Sequence, residues 1–389
     1  MAWSDPSPAA GCDHYEQNHR RRMVEGIRSL WYERKSMNRV VPFLLLWAAC
    51  PHAYGATASA SSFAEQADRY LSRLEHEGQF SGAVLIAQGG QVLLKQGYSL
   101  ANREHGVANT PQTRFRLGSV TKQFTAMCIL MLAEQNKLRV TDPVAQYVPD
   151  CPKPWEPITI EHLLTHTSGI PGFTDFPDNL QHERLPATVE ATVNRFRDKP
   201  LDFVPGERFK YSNSGYVLLG YIIERVTGQK YEAVVSEKLF SPLGMKNSGY
   251  DHPSTVLTNR AAGYSRQHGA LVNCVHFEMD TPHAAGALYS TVEDLLLWDQ
   301  ALYTEKLVPA ARLEAMFTAR KGDYGYGWFI RPQGKRKCVE HGGGIAGFVT
   351  SIARYPEDKV VIVVLCNFDT AQPGKISREL AEMRFGDGG

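Results

Sequence analysis

The segment Ser119-Val120-Thr121-Lys122 puts a hydroxyl and an amine three residues apart, directly ahead of apolar residues at Phe124, Met127, Leu130, Met131 and Leu132. Those residues follow helical spacing, so the serine falls at a helix start and the lysine one turn on, along the same face. The first turn of a helix has free backbone N–H groups, and its partial positive charge favours an oxyanion while disfavouring a protonated lysine. Nucleophilic attack by Ser119 with Lys122 as the proton acceptor is the chemistry this pair could do. An ordinary lysine, with a pKa of about 10.4, would need such help to act as a base near neutral pH.

A Ser-x-x-Lys match is expected about once by chance in a chain of this length, so its company matters. Tyr211-Ser212-Asn213 is the only Tyr-x-Asn among 17 tyrosines and stands just before a helical pattern that begins near Gly215. His341-Gly342-Gly343, followed by Gly344, precedes the strand-like run Phe348–Tyr355. These motifs, in this order, resemble those of the serine beta-lactamase and penicillin-binding protein superfamily, in its class C-like branch. Further matching segments are Leu163-Leu-Thr-His-Thr-Ser-Gly169, Pro205-Gly206 and Gly286-Ala-Leu-Tyr-Ser-Thr-Val-Glu-Asp294, so the resemblance runs from about residue 60 to the end.

The resemblance implies that Ser119 is acylated, that Lys122 and Tyr211 share the proton transfers, and that the N–H groups of Ser119 and Gly344 form an oxyanion hole. Asn213 would orient the lysine and the substrate amide, and His341 and Gly343 would also face the substrate. No cofactor or metal is implied. One departure stands out. The family's third motif is often Lys-Thr-Gly, which binds a substrate carboxylate, whereas His341 and Gly342 offer a partly charged imidazole and no hydroxyl. An ester, an amide or a D-amino-acid peptide therefore fits better than efficient antibiotic turnover. A beta-lactamase, or a non-catalytic sensor that only holds penicillin or peptidoglycan fragments, is the competing expectation.

The elements that must position these residues come from both ends of the chain. Phe63–Glu77 has the spacing of an amphipathic helix, and Gly82–Ala87 with Val92–Tyr98 reads as a hairpin. Tyr326–Arg331, Phe348–Tyr355 and Lys359–Cys366 read as strands, and Ile376–Phe385 as a closing helix. Helical patterns fill the middle, at Thr121–Gln135, Ile160–Thr165, Gly215–Val226, Tyr231–Leu239 and Thr291–Leu302. The expected fold is α+β and beta-lactamase/transpeptidase-like: an antiparallel sheet lobe from about 60–118 and 270–389, flanked by helices, with a mostly helical lobe from about 119–269 inserted. Apolar clusters around Met127 and Trp298 read as core, and Ile170–Phe209 as either a wall of the pocket or a plain surface excursion.

Composition narrows the partners. Lys plus Arg number 42 against 41 Asp plus Glu, so no net field draws in nucleic acid or an anionic membrane. The basic run Lys335-Arg336-Lys337 reads as a solvated turn. His162 and His166 lie four apart, but no His-Glu-x-x-His order accompanies them, so zinc is the weaker reading. There is no Gly-x-Ser-x-Gly elbow and no phosphate-binding glycine loop. Of seven cysteines, five lie beyond residue 58, an odd number, so at least one should stay a thiol unless it pairs between chains.

Residues 37–58 read as a secretory signal: Met37-Asn-Arg, the apolar run Val40–Ala49, then small residues to Ala58. The run is too short to span a bilayer, which takes about 20 residues. Residues 1–36 read as an upstream extension, and lipidation at Cys50 is a lesser alternative. The 60–389 domain is thus expected in the periplasm or outside the cell, with a small-molecule or peptide substrate; the sequence is silent on its oligomeric state.

Overall fold

The computed structural model describes residues 54–386, with side chains from 62 onward. The upstream extension and most of the signal segment, including Cys50, lie outside the described residues. Among the described residues no helix is long and apolar enough to cross a membrane.

A six-stranded antiparallel sheet organises the molecule. Its strands are β1 (Gly82–Gln88), β2 (Gln91–Tyr98), β3 (Phe329–Gln333), β4 (Arg336–Ile345), β5 (Phe348–Tyr355) and β6 (Val360–Cys366), in the order β3-β4-β5-β6-β1-β2. The first and last strands of the chain pair directly, with Gly82 opposite Cys366 and Val84 opposite Val364. β6, Val-Val-Ile-Val-Val-Leu-Cys, is buried at every position. An unbroken apolar run of this kind requires cover on both faces of the sheet.

Both covers are present. On one face, Val84, Ile86, Ile362 and Val364 pack with Phe63, Leu71 and Leu74 of α1 (Tyr54–His76) and with residues of the C-terminal helix. On the other, Leu85, Val361, Val363 and Leu365 join a larger core that takes in α2 (Thr121–Glu134) and most of the remaining helices. Those used below are α3 (Ile160–Leu164), α4 (Val189–Arg197), α5 (Asn213–Thr227), α6 (Val292–Ala301) and α7 (Pro373–Phe385), the last being the C-terminal helix. The fold is α+β with an antiparallel sheet drawn from both chain ends, in agreement with the sequence patterns.

α2 is the central helix. Nearly every residue from Thr121 to Ala133 is buried, which is why its sequence is apolar all round rather than along one stripe. A lysine in its first turn is therefore taken out of water by the fold itself. The Cys residues at 128, 151, 274, 338 and 366 are all free thiols.

The sequence patterns miss β4. Its run Arg336-Lys-Cys-Val-Glu-His-Gly-Gly-Gly-Ile carries charges at one end and glycines at the other, so neither apolar alternation nor β-propensity marks it. Lys335 does sit in a turn, beside Gly334 at φ +59°, but Arg336 and Lys337 already belong to the strand.

Candidate active site

Ser119 lies in a single 3-10 turn, Gly118–Val120, that runs without a break into α2. The turn rests against the glycine end of β4. A side chain at Gly118, which has φ +54°, would place its Cβ 2.8 Å from the Gly344 nitrogen. A Cβ on Gly343 would lie 1.9 Å from the Leu117 carbonyl oxygen, and Thr350 on β5 donates to that oxygen at 2.8 Å. The absence of side chains at these two positions lets the backbone of Ser119 and the backbone of Gly344 come to one place.

Lys122 is completely buried, and its Nζ has three polar neighbours: Ser119 Oγ at 3.0 Å, Asn213 Oδ1 at 2.9 Å and the Ala285 carbonyl oxygen at 2.8 Å. The rings of Tyr211 and Tyr216 lie 4.9 and 5.5 Å from it. Burial pushes its pKa well below the ordinary lysine value. A neutral amine has two hydrogens and one lone pair. The amide oxygen of Asn213 and the Ala285 carbonyl can only accept, so they take both hydrogens, and the lone pair is left facing the Ser119 hydroxyl. Asn213 is held from its other side, its Nδ2 donating to Thr174 Oγ1 at 3.2 Å.

Tyr211 stands just before α5 and is half-buried beside Ser119. Loss of water raises its phenol pKa, with the neighbouring Ser119 hydroxyl pulling the other way, so it keeps its proton at neutral pH. His166 positions this segment. It is buried at φ +56°, its Nδ1 accepts from the Ser212 N–H at 3.2 Å, and its ring lies 4.2 Å from that of Tyr211. Burial, aided by Lys122 and His341, holds the imidazole neutral. His162 acts elsewhere, closing the N-terminal cap of α3 with Thr159.

Of the residues expected to face the substrate, His341 and Gly343 stand behind the cavity wall, as Lys122 and Tyr211 also do. His341 is 2 % exposed, its Nε2 accepts from the Tyr324 hydroxyl at 2.9 Å, and its Nδ1 lies 2.6 Å from the Gly342 carbonyl. Burial first, then Lys122, lowers its pKa to about 3, so it is neutral and not partly charged. The cavity in front of Ser119, of about 220 Å3, is lined by Ser119, Asn213, Gly344, Phe173, Phe277 and Glu183, among others, and by neither His341 nor Gly343. Gly343 is used up by its contact with Leu117, and His341 by the aromatic cluster behind Tyr211.

Sequence reasoning passed over Ala285 and Tyr324. Ala285 immediately precedes the Gly286–Asp294 segment, which is the one hint available; a backbone carbonyl leaves no mark in residue type. Tyr324 is one tyrosine among 17, with no motif around it.

A serine hydroxyl 3.0 Å from a buried lysine amine, beside a tyrosine and the glycine end of a strand, is an arrangement suited to a serine hydrolase of beta-lactamase fold. The Beta-lactamase family model matches residues 67–382, and the chain belongs to that family. It is 30% identical over 344 residues to penicillin-binding protein 4* of Bacillus subtilis (strain 168), covering 80% of this chain and 74% of that protein. Among solved structures, the octameric penicillin-binding protein homologue from Pyrococcus abyssi has 32% identity and a TM-score of 0.74, over 83% of this chain and 77% of that one. A penicillin-binding protein from Bacillus halodurans has 28% identity and a TM-score of 0.73, over 81% of this chain and 100% of that one.

Proposed function

We propose that the protein is an exported hydrolase that works through an acyl-enzyme on Ser119, cleaving an ester, an amide or a D-amino-acid peptide. The observation that carries this reading is the set of contacts at the buried Lys122 Nζ, two to oxygens that can only accept and one to Ser119 Oγ, so that the amine in its neutral form keeps its lone pair for Ser119. Ser119 O–H donates to that lone pair, and Oγ bonds to the substrate carbonyl carbon as the proton moves to Nζ. The negative charge on the carbonyl oxygen is met by the N–H groups of Ser119 and Gly344, each worth about 2.7–4 kcal/mol in comparable sites. Tyr211 passes its proton to the departing oxygen or nitrogen and regains one from Lys122. Water then attacks the ester on Ser119 by the same steps in reverse.

Export follows from the signal-like segment at 37–58 and sends the mature domain, about 60–389, to the periplasm or the medium. The names of the relatives support covalent capture of penicillin as a side reaction. A wall without a cationic side chain gives a penicillin carboxylate little to hold, so its turnover should be slow.

Intact-mass analysis of the mature domain tests the proposal, after mixing with an activated ester, a penicillin or a fluorophosphonate. A mass adduct with each reagent, absent from Ser119→Ala, and steady release of ester product are expected. Adducts without turnover would make the protein a sensor, and no adduct with any reagent would remove Ser119 from the chemistry.

A further inference from the structure

The wall of the Ser119 cavity is polar or apolar at every position but one. Glu183 is its single ionisable side chain among the described residues, and no lysine, arginine or histidine lines it. The carboxylate is held in place. Asn179 Nδ2 donates to Glu183 Oε2 at 2.9 Å, and the Glu183 carbonyl accepts from the Glu278 N–H at 2.7 Å. Two cations act on the carboxylate without an ion pair: Arg184, next in the chain, and Arg195 on α4, which donates to Asn179 Oδ1 at 3.1 Å and to Asp178 at 3.0 Å. Arg195 thus fixes the amide that orients Glu183 without pairing with Glu183 itself.

We infer that Glu183 is a specificity-determining residue that selects substrates whose acyl portion carries a primary ammonium group. The inference rests on the acyl-enzyme reading of Ser119 and deepens it. A lone carboxylate in a confined, partly dry cavity attracts a cation and repels an anion, which separates amino-acid esters and amides from carboxylate-bearing acyl groups. Partial burial raises the Glu183 pKa, and the opposing pull of Arg184, the Asn179 hydrogen bond and Arg195 does not cancel that rise. An ammonium donating to the oxygen not bound by Asn179 would answer it with a charge-assisted hydrogen bond.

The test compares benzyl esters of D-alanine, L-alanine and β-alanine with their N-acetyl forms at about pH 6.5, where an amine and a carboxylate are both charged. The wild-type protein should favour the free amine over its N-acetyl partner by at least about tenfold in kcat/KM in one or more pairs. Glu183→Gln should bring that ratio to within about threefold of unity, mainly through KM. Glu183→Lys should reverse the order and favour an N-succinyl ester. Because each readout is a ratio within one protein, general damage by the substitution cancels. A wild-type ratio near unity in all three pairs, or a ratio that Glu183→Gln leaves unchanged, overturns the inference. Turnover of p-nitrophenyl acetate separates the two levels: with it intact, a flat ratio removes only the ammonium preference, whereas no turnover and no Ser119 adduct remove both.

Discussion

Burying Lys122 lowers its pKa, as the proposed base needs, and also makes it a liability. The folded protein holds the amine neutral at a pH where the unfolded chain protonates it. Between the depressed folded value and the unfolded value of about 10.4, the unfolded state binds one more proton, so this residue's contribution to stability rises with pH across that window. Lys122→Met should flatten that slope, measured as unfolding free energy against pH. In catalysis, kcat/KM for a neutral ester should climb along an acid limb lying well below 10.4, as free enzyme loses the Lys122 proton. His166 and His341, the titratable neighbours on either side, are held neutral by burial and do not gain a proton in the neutral range. Lys122→Met should lose about 10³-fold or more in kcat, the scale seen when a nucleophile's base is removed. The same limb persisting in Lys122→Met at near-normal rate would assign the base to another group. Ser119, Lys122, Tyr211 and Asn213 were legible because each is a residue type in a spaced motif. The charge state of His341 was not, since it depends on burial by elements far apart in sequence.

At the scale of elements, the proposed acylation requires the Ser119 turn to seat closely on β4, and two adjacent glycines test this. A methyl on Gly343 would meet the Leu117 carbonyl at 1.9 Å and Thr350 Oγ1 at 2.4 Å, whereas a methyl on Gly344 would have nothing within 4 Å. Gly343→Ala must push the strand off the turn, with an overpacking cost of about 1–3 kcal/mol or more. The same displacement pulls the Gly344 N–H away from the oxyanion, so kcat should fall about 10²–10³-fold. Gly344→Ala keeps its N–H and its backbone place, and should leave melting temperature within a degree or two and kcat within about tenfold. Equal losses in both variants would mean that the seat is not what sets the rate. This seat is the least legible feature in the sequence. The triple glycine signals a special backbone, but its partner at Leu117–Gly118 lies more than 200 residues away, and the strand that carries it lacks an apolar pattern. Helices such as α2 and α6, and the apolar strands β1, β5 and β6, were legible because burial makes their sequences apolar, a mark that a glycine strand lacks.

Over the whole molecule, the sheet is tied to α6, a helix that packs on it, by a buried ion pair. Arg354 on β5 donates from Nε to Asp299 Oδ1 on α6 at 2.5 Å, and the two side chains are 1% and 0% exposed. The guanidinium is sandwiched by Tyr303 and Phe317, its carbon 4.7 and 5.2 Å from their ring centres. On the same helix, Trp298 donates to Gln123 Oε1 at 3.0 Å and packs on Phe124 at 4.5 Å, so the tie reaches the first turns of α2 and hence Lys122. Neither charge can be hydrated where it sits, so each needs the other. Asp299→Ala would strand the guanidinium and should cost about 3–5 kcal/mol in denaturant-measured stability. Replacing both residues, as Asp299→Ala with Arg354→Met, removes the stranded charge and should recover part of that loss, a coupling that a double-mutant cycle reads directly. A cost below about 0.5 kcal/mol for Asp299→Ala, or a double variant no better than the single, would show that α6 is held on the sheet by apolar packing alone. The expected result has a functional corollary: because the tie ends at α2, the Asp299→Ala protein should lose its Ser119 acylation at a lower denaturant concentration than wild type, in step with global unfolding rather than ahead of it.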